Sequence, residues 1–130
     1  MEHIFYEVKV IFMDESILAE IKKVLGITEE YKVFDDDLIM HINSVFMVLQ
    51  QLGVGPADGF QITGYSETWG DFMSASDENL VGVKTYIAMK VRLIFDPPSS
   101  SFVLDSYKKL VDEFEWRLNV QVDPGFSEVD

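Results

Sequence analysis

Three stretches of this chain carry residue types that do chemistry in other settings: Asp35-Asp36-Asp37, Ser99-Ser100-Ser101 and Gly53-Val54-Gly55. Adjacent carboxylates can serve a divalent cation, but a calcium loop draws its ligands from alternating positions around a glycine, and this run has neither. Acids at a helix start cap its free N–H groups and complement its dipole, which is the reading the run supports. A serine nucleophile needs a glycine elbow and a base; no histidine or lysine in motif spacing accompanies residues 99–101, so they read as helix caps. A phosphate-cradling glycine loop follows a strand and opens a helix, whereas Gly53-Val54-Gly55 closes one. His3 and His41 are the only histidines, so a histidine-rich metal site is not expected. Cysteine is absent, which excludes disulfides, cysteine zinc sites and a cysteine nucleophile. No cofactor, bound metal or enzyme activity is expected. An enzyme would need paired acids with raised pKa values in a cleft.

Positioning these residues falls to helices. Asp14 is the expected N-cap of the first, with Met13 and Leu18 as a hydrophobic staple. Ile17, Leu18, Ile21, Val24 and Leu25 follow helical spacing, and Gly26 closes the element. The second helix begins at the aspartate run and carries Leu38, Ile42, Val45, Phe46, Leu49 and Leu52 on one stripe before Gly53. The third is capped by Ser76 and carries Leu80, Val83, Ile87, Val91 and Ile94; its β-branched content argues for a strand, and its length for a helix. Asp96-Pro97-Pro98 breaks it. Ser100 or Ser101 then caps a fourth helix with Val103, Tyr107, Leu110, Phe114 and Leu118 on one stripe and Leu104 and Val111 beside it. Asp105–Lys109 and Glu113–Arg117 are acid-first i,i+4 pairs. The rigid corner between the last two helices implies antiparallel packing.

Between the helix pairs, Phe60–Thr63 reads as a short extended piece, and Ser66–Met73 as a helical turn that lays Trp69 and Phe72 on the core. Residues 1–12 alternate like a short strand and are either that or an extension. The tail, 120–130, has Asp-Pro-Gly turn chemistry and no periodicity, so a mobile end is expected. The fold class is mainly α: a small bundle of about four helices with a short extended segment and a mobile C-terminal tail, in a single domain over residues 1–130.

The net charge of −13 is unevenly spread. Residues 26–80 hold ten acids and one lysine, whereas residues 81–119 hold six basic and five acidic residues. Such a chain repels phosphate at long range, which argues against tight binding to the outside of a duplex. Solubility explains the charge, and an acidic wall past which DNA slides without sticking is compatible with it. No apolar segment reaches the roughly 18 residues of a membrane span, and no signal peptide is visible.

Two blocks carry a resemblance. "ILAEIKKVLGITEEYKVFDDDLIMHINSVFMVLQQLGVGP" is similar to the opening helix pair of phage head–tail connectors, also called adaptor or head-completion proteins. "VKTYIAMKVRLIFDPPSSSFVLDSYKKLVDEFEWRLNV" is similar to their closing pair, most specifically in Arg-Leu-Ile-Phe-Asp-Pro-Pro and Glu-Trp-Arg-Leu-Asn. Together they span about residues 14 to 125, and residues 1–12 depart from the pattern. The resemblance implies a structural protein made in the host bacterial cytoplasm and placed in the virion neck, with no cofactor and no membrane. It implies a homo-oligomeric ring, a dodecamer, under the portal protein. That ring extends the DNA channel, helps retain packaged DNA and docks a stopper or tail-completion protein. DNA then passes without sequence-specific binding. Interface candidates are Lys108, Lys109, Trp116 and Arg117, because tryptophan and arginine are enriched at hot spots, and Asp123 and Phe126 in a tail that orders on the portal. Arg117 has an alternative role as partner of Glu113, and Trp116, off the main stripe of its helix, is either a satellite core contact or a subunit contact. A small acidic regulatory protein that mimics DNA is the alternative function.

Overall fold

The computed structural model describes residues 15–73 and 80–122. The expected strand at residues 1–12, Met13, Asp14, the Ser76 cap, Asp123, Phe126 and the rest of the tail lie outside the described residues. Among the described residues five helices follow in order: α1 (Ile17–Val24), α2 (Asp35–Gln51), the single turn α3 (Trp69–Phe72), α4 (Leu80–Phe95) and α5 (Ser101–Val122). The competing strand reading of residues 80–95 is therefore replaced by a helix. The last helix reaches Val122, inside the stretch expected to be tail.

Local chemistry explains the ends. Ser16 is extended, and its hydroxyl accepts the Ala19 N–H, so the cap of α1 is Ser16 rather than Asp14. The Ile17 N–H donates to Glu67 O, which ties this entry point to the turn before α3. Both α1 and α2 end in paired bonds across a left-handed glycine: Ile27 N–H to Lys22 O with Gly26 N–H to Lys23 O, and Val54 N–H to Leu49 O with Gly53 N–H to Gln50 O. Thr68 and Asp71 form a reciprocal capping box around α3. Ser100 settles the serine corner: its hydroxyl accepts the Val103 N–H and its carbonyl the Leu104 N–H.

α4 packs against both α2 and α5. Phe34 at the start of α2 meets Phe95 at the end of α4, ring centres 5.2 Å apart, so these two helices run antiparallel. Arg92 over the Tyr107 ring and Tyr86 bonded to Glu115 show that α4 and α5 are antiparallel too. The core holds Leu38, Ile42, Val45, Phe46 and Leu49 from α2 and Leu80, Val83, Ile87 and Val91 from α4, as their spacing requires. Trp69 and Phe72 are buried as expected. Phe46, Phe60 and Phe72 form an aromatic cluster with ring centres 4.7–5.3 Å apart. Gly55 has φ +90°, and a Cβ there would lie 2.5 Å from the Phe72 ring, so only glycine lets the loop pass over this cluster.

Three expectations need correction. Val24 and Ile94 are about half exposed and leave their stripes. In α5 the buried line is Val111 and Leu118, flanked by Leu104, Tyr107 and Phe114, while Val103 and Leu110 are substantially exposed. The third concerns Asp35: Phe34 holds the N-cap position of α2 and no side chain caps it, so the aspartates fill the first turn without capping.

Candidate assembly interface

The polar groups of the described residues divide into those enclosed by the fold and those presented outward. The most enclosed is Lys22, 0% exposed at the end of α1. Its ammonium, with three N–H groups, shares them among four oxygens within hydrogen-bond distance: Glu29 O (3.1 Å), Tyr31 O (2.7 Å), Asp35 Oδ1 (2.8 Å) and Tyr65 Oη (2.7 Å). The Tyr65 hydroxyl in turn donates to Asp35 Oδ2 at 2.7 Å. Lys32 lies 3.9 Å from the centre of the Tyr65 ring. Burial works against both charges, but the bonds from Asp35 and Tyr65 outweigh it and hold the Lys22 pKa above the ordinary lysine value. Asp35 mirrors this: burial pushes its carboxyl up, and the bonds from Lys22 and Tyr65 bring it below the usual range. Asp35 is thus the counter-ion of a buried lysine. Among the described residues, no group of three His, Asp or Glu side chains could hold a metal ion.

Two further ties fasten helix to helix. Glu20 accepts the Trp69 indole N–H and pairs with Lys84 Nζ at 3.2 Å, while Lys84 sits 4.9 Å from the Trp69 ring centre. Burial pulls the Lys84 pKa down against the pull of Glu20. The cleft beside it is otherwise lined by Ile21, Val24, Val81, Thr85 and Ala88, and the Thr85 hydroxyl donates to Val81 O. The cluster joins α1, α3 and α4. At the other end, Glu115 accepts the Tyr86 hydroxyl (2.7 Å) and pairs with Lys90 (3.0 Å), binding α5 to α4. Burial and Glu115 together push the Tyr86 hydroxyl pKa far up.

The outward face of α5 is the contrast. Trp116 is 61% exposed and Phe102 80% exposed, with Lys109 midway between them at heptad spacing, so the three share one line along the helix. Val103, Leu110 and Arg117 form the neighbouring line. Lys108 and Lys109 are exposed. Arg117 pairs with Glu113, as its spacing predicts, whereas no Asp105–Lys109 ion pair forms among the described residues. Trp116 makes no core contact of the kind Trp69 makes; it stands at the surface with Arg117 beside it.

Residues 17–125 match the family model described as phage connector protein. The chain belongs to this family. No curated protein and no solved structure matches it. A phage connector is a structural component of the virion. No helix among the described residues is long and apolar enough to cross a membrane.

Four functional or supporting groups escaped the sequence reading: Lys22, Tyr65, Glu115 and Asn43. Asn43 brackets the extended piece, donating to Ile62 O (3.0 Å) and accepting the Ile62 N–H (2.7 Å). Lys22 did leave a signal, since it stands four residues after Leu18 on the buried side of α1. The partners of Tyr65 and Glu115 are 25 or more residues away and left none.

Proposed function

We propose that this connector works in the neck of the virion as a single domain, forming a homo-oligomeric ring, a dodecamer, beneath the portal protein. The ring extends the DNA channel, helps retain packaged DNA and gives the stopper or tail-completion protein its docking surface. Beyond family membership, the observation that carries this reading is the outward face of α5, where a large aromatic stands exposed beside Arg117 and two lysines. A ring of identical subunits needs head-to-tail contacts between unlike faces, and a face of this composition supplies one of them. The net charge of −13 supports a channel wall that DNA passes without sequence-specific binding or sticking. Asp123 and Phe126, in the segment that follows α5, are assigned to the portal contact.

Co-sedimentation of the purified protein with portal assemblies from the same phage tests this. Saturable binding at a fixed ratio to portal subunits is the expected result. A protein that stays in the supernatant while the portal pellets overturns it and favours an acidic regulatory protein. Within a positive result, deleting residues 123–130 is expected to weaken binding; unchanged binding removes the tail from the contact.

A further inference from the structure

The family match begins at residue 17, and we propose that residues 1–12, ahead of it, lie as an extended segment in the cleft between α1 and α4 of the same chain. From residue 4 to residue 12 every even position is apolar: Ile4, Tyr6, Val8, Val10 and Phe12. The two charges of that stretch, Glu7 and Lys9, fall on odd positions. Successive side chains of an extended chain point to opposite sides, so the even positions make one uncharged apolar face and the charges stand on the other. An apolar face of this length is stable when another surface covers it.

The cleft offers the matching surface. Ile21 and Val24 line it from α1 and Val81 and Ala88 from α4, with Val24 and Val81 54% and 69% exposed. Its polar groups are engaged: Glu20 pairs with Lys84, and the Thr85 hydroxyl donates to Val81 O. What it accepts is therefore an uncharged face, and placement decides which segment supplies it. Ser16 pairs with Thr68, the neighbour of Trp69, which also lines the cleft. Burial lowers the Lys84 pKa, and Glu15 joins Glu20 in opposing the fall, which puts residue 15 close by. Val81 to Ala88 covers about 10 Å of helix, and five extended residues cover about 16 Å, so residues 8–12 reach across after a two-residue link. The other segments suit the cleft less. Residues 74–79 hold one apolar side chain, and residues 123–130 hold three acids and follow a helix whose described residues line no part of it.

The chain has no cysteine, so introduced ones report single positions. In the full-length protein, Val8→Cys and Val10→Cys are expected to react with a maleimide about tenfold more slowly than Glu7→Cys and Lys9→Cys, at rates independent of protein concentration. Val81 is largely exposed in the first turn of α4, where an aspartate suits the helix dipole, so Val81→Asp leaves the helix intact. Placed in the Val8→Cys and Val10→Cys chains, it is expected to remove their protection. Val24→Lys, on the opposite wall in the last turn of α1, is expected to do the same. Equal rates at all four positions overturn the inference, as does protection that survives both wall substitutions. Protection that fades on dilution also overturns it, because the segment then lies on a second copy of the chain.

Discussion

The Lys22 cluster and the outer face of α5 place charge in opposite ways. Around Lys22, every polar group finds its partner inside the chain, and the cluster draws residues 22, 29, 31, 35 and 65 to one point. On α5, Lys108, Lys109 and Trp116 make no ion pair or ring contact among the described residues, and Arg117 reaches only its own helix. A buried charge that is fully satisfied fixes one arrangement of the loops around it. An exposed face of aromatic and mixed-charge groups, with Asp105, Asp112 and Glu113 among its basic side chains, contributes little to the fold and is available to another surface. The difference separates what holds the subunit together from what it presents outward.

The comparison breaks first at Lys22. Lys22→Met is expected to lower stability by about 3 kcal/mol, because it leaves the Asp35 carboxylate and two carbonyls without their buried donor. Urea titration followed by circular dichroism measures it, and a loss under about 1 kcal/mol would mean the cluster does not govern the fold. The pH dependence follows from the same pair. The folded Asp35 carboxyl lies below its ordinary value, so its contribution is complete above about pH 4 and is lost as pH falls through the folded value. Lys22 is raised, so its contribution is complete below about pH 10.4 and is lost as pH rises through its folded value. The variant should show a shallower acid limb than the parent protein.

Asn43→Ala sharpens the comparison at a smaller scale. It removes both bonds to Ile62, a buried residue whose N–H and C=O then lack partners. A loss of about 2 kcal/mol is expected by the same titration, with portal binding unchanged at temperatures where the variant stays folded. Weakened binding by a folded variant would place the Phe60–Thr63 segment in the interface.

Much of the helical framework was legible because its causes are local. Leu38 to Leu49 repeat every three or four residues, Gly26 and Gly53 sit where left-handed backbone ends a helix, and two prolines stop α4. The orientation of α5 was not legible. Val103 with Leu110 and Leu104 with Val111 offer two apolar lines one residue apart, and periodicity cannot choose between them. The choice comes from Glu115, which must face α4 to meet Tyr86 and Lys90, and that turns Leu104 and Val111 inward. Asp35 failed for a related reason: its spacing fits a cap, but a lysine 13 residues earlier offers a stronger partner. The interface candidates were legible as residue types; their exposure depended on this rotation of the helix.

Trp116→Ala has the smallest effect on the fold and the most to say about the contrast. The ring is 61% exposed, so its removal is expected to change stability by no more than about 0.5 kcal/mol. A tryptophan at the centre of a contact is worth about 2 kcal/mol or more on truncation, so portal-dependent assembly should weaken at least tenfold. Trp69→Ala offers the inverse control: Trp69 is 0% exposed and bonded to Glu20, so its loss acts through the fold. If Trp116→Ala unfolds as the parent protein does and assembles as well, the α5 face is surface and the contact lies elsewhere. If it unfolds normally but fails to assemble, fold and function are carried by different residues of the same helix: Val111, Glu115 and Leu118 facing inward, and Trp116 facing out.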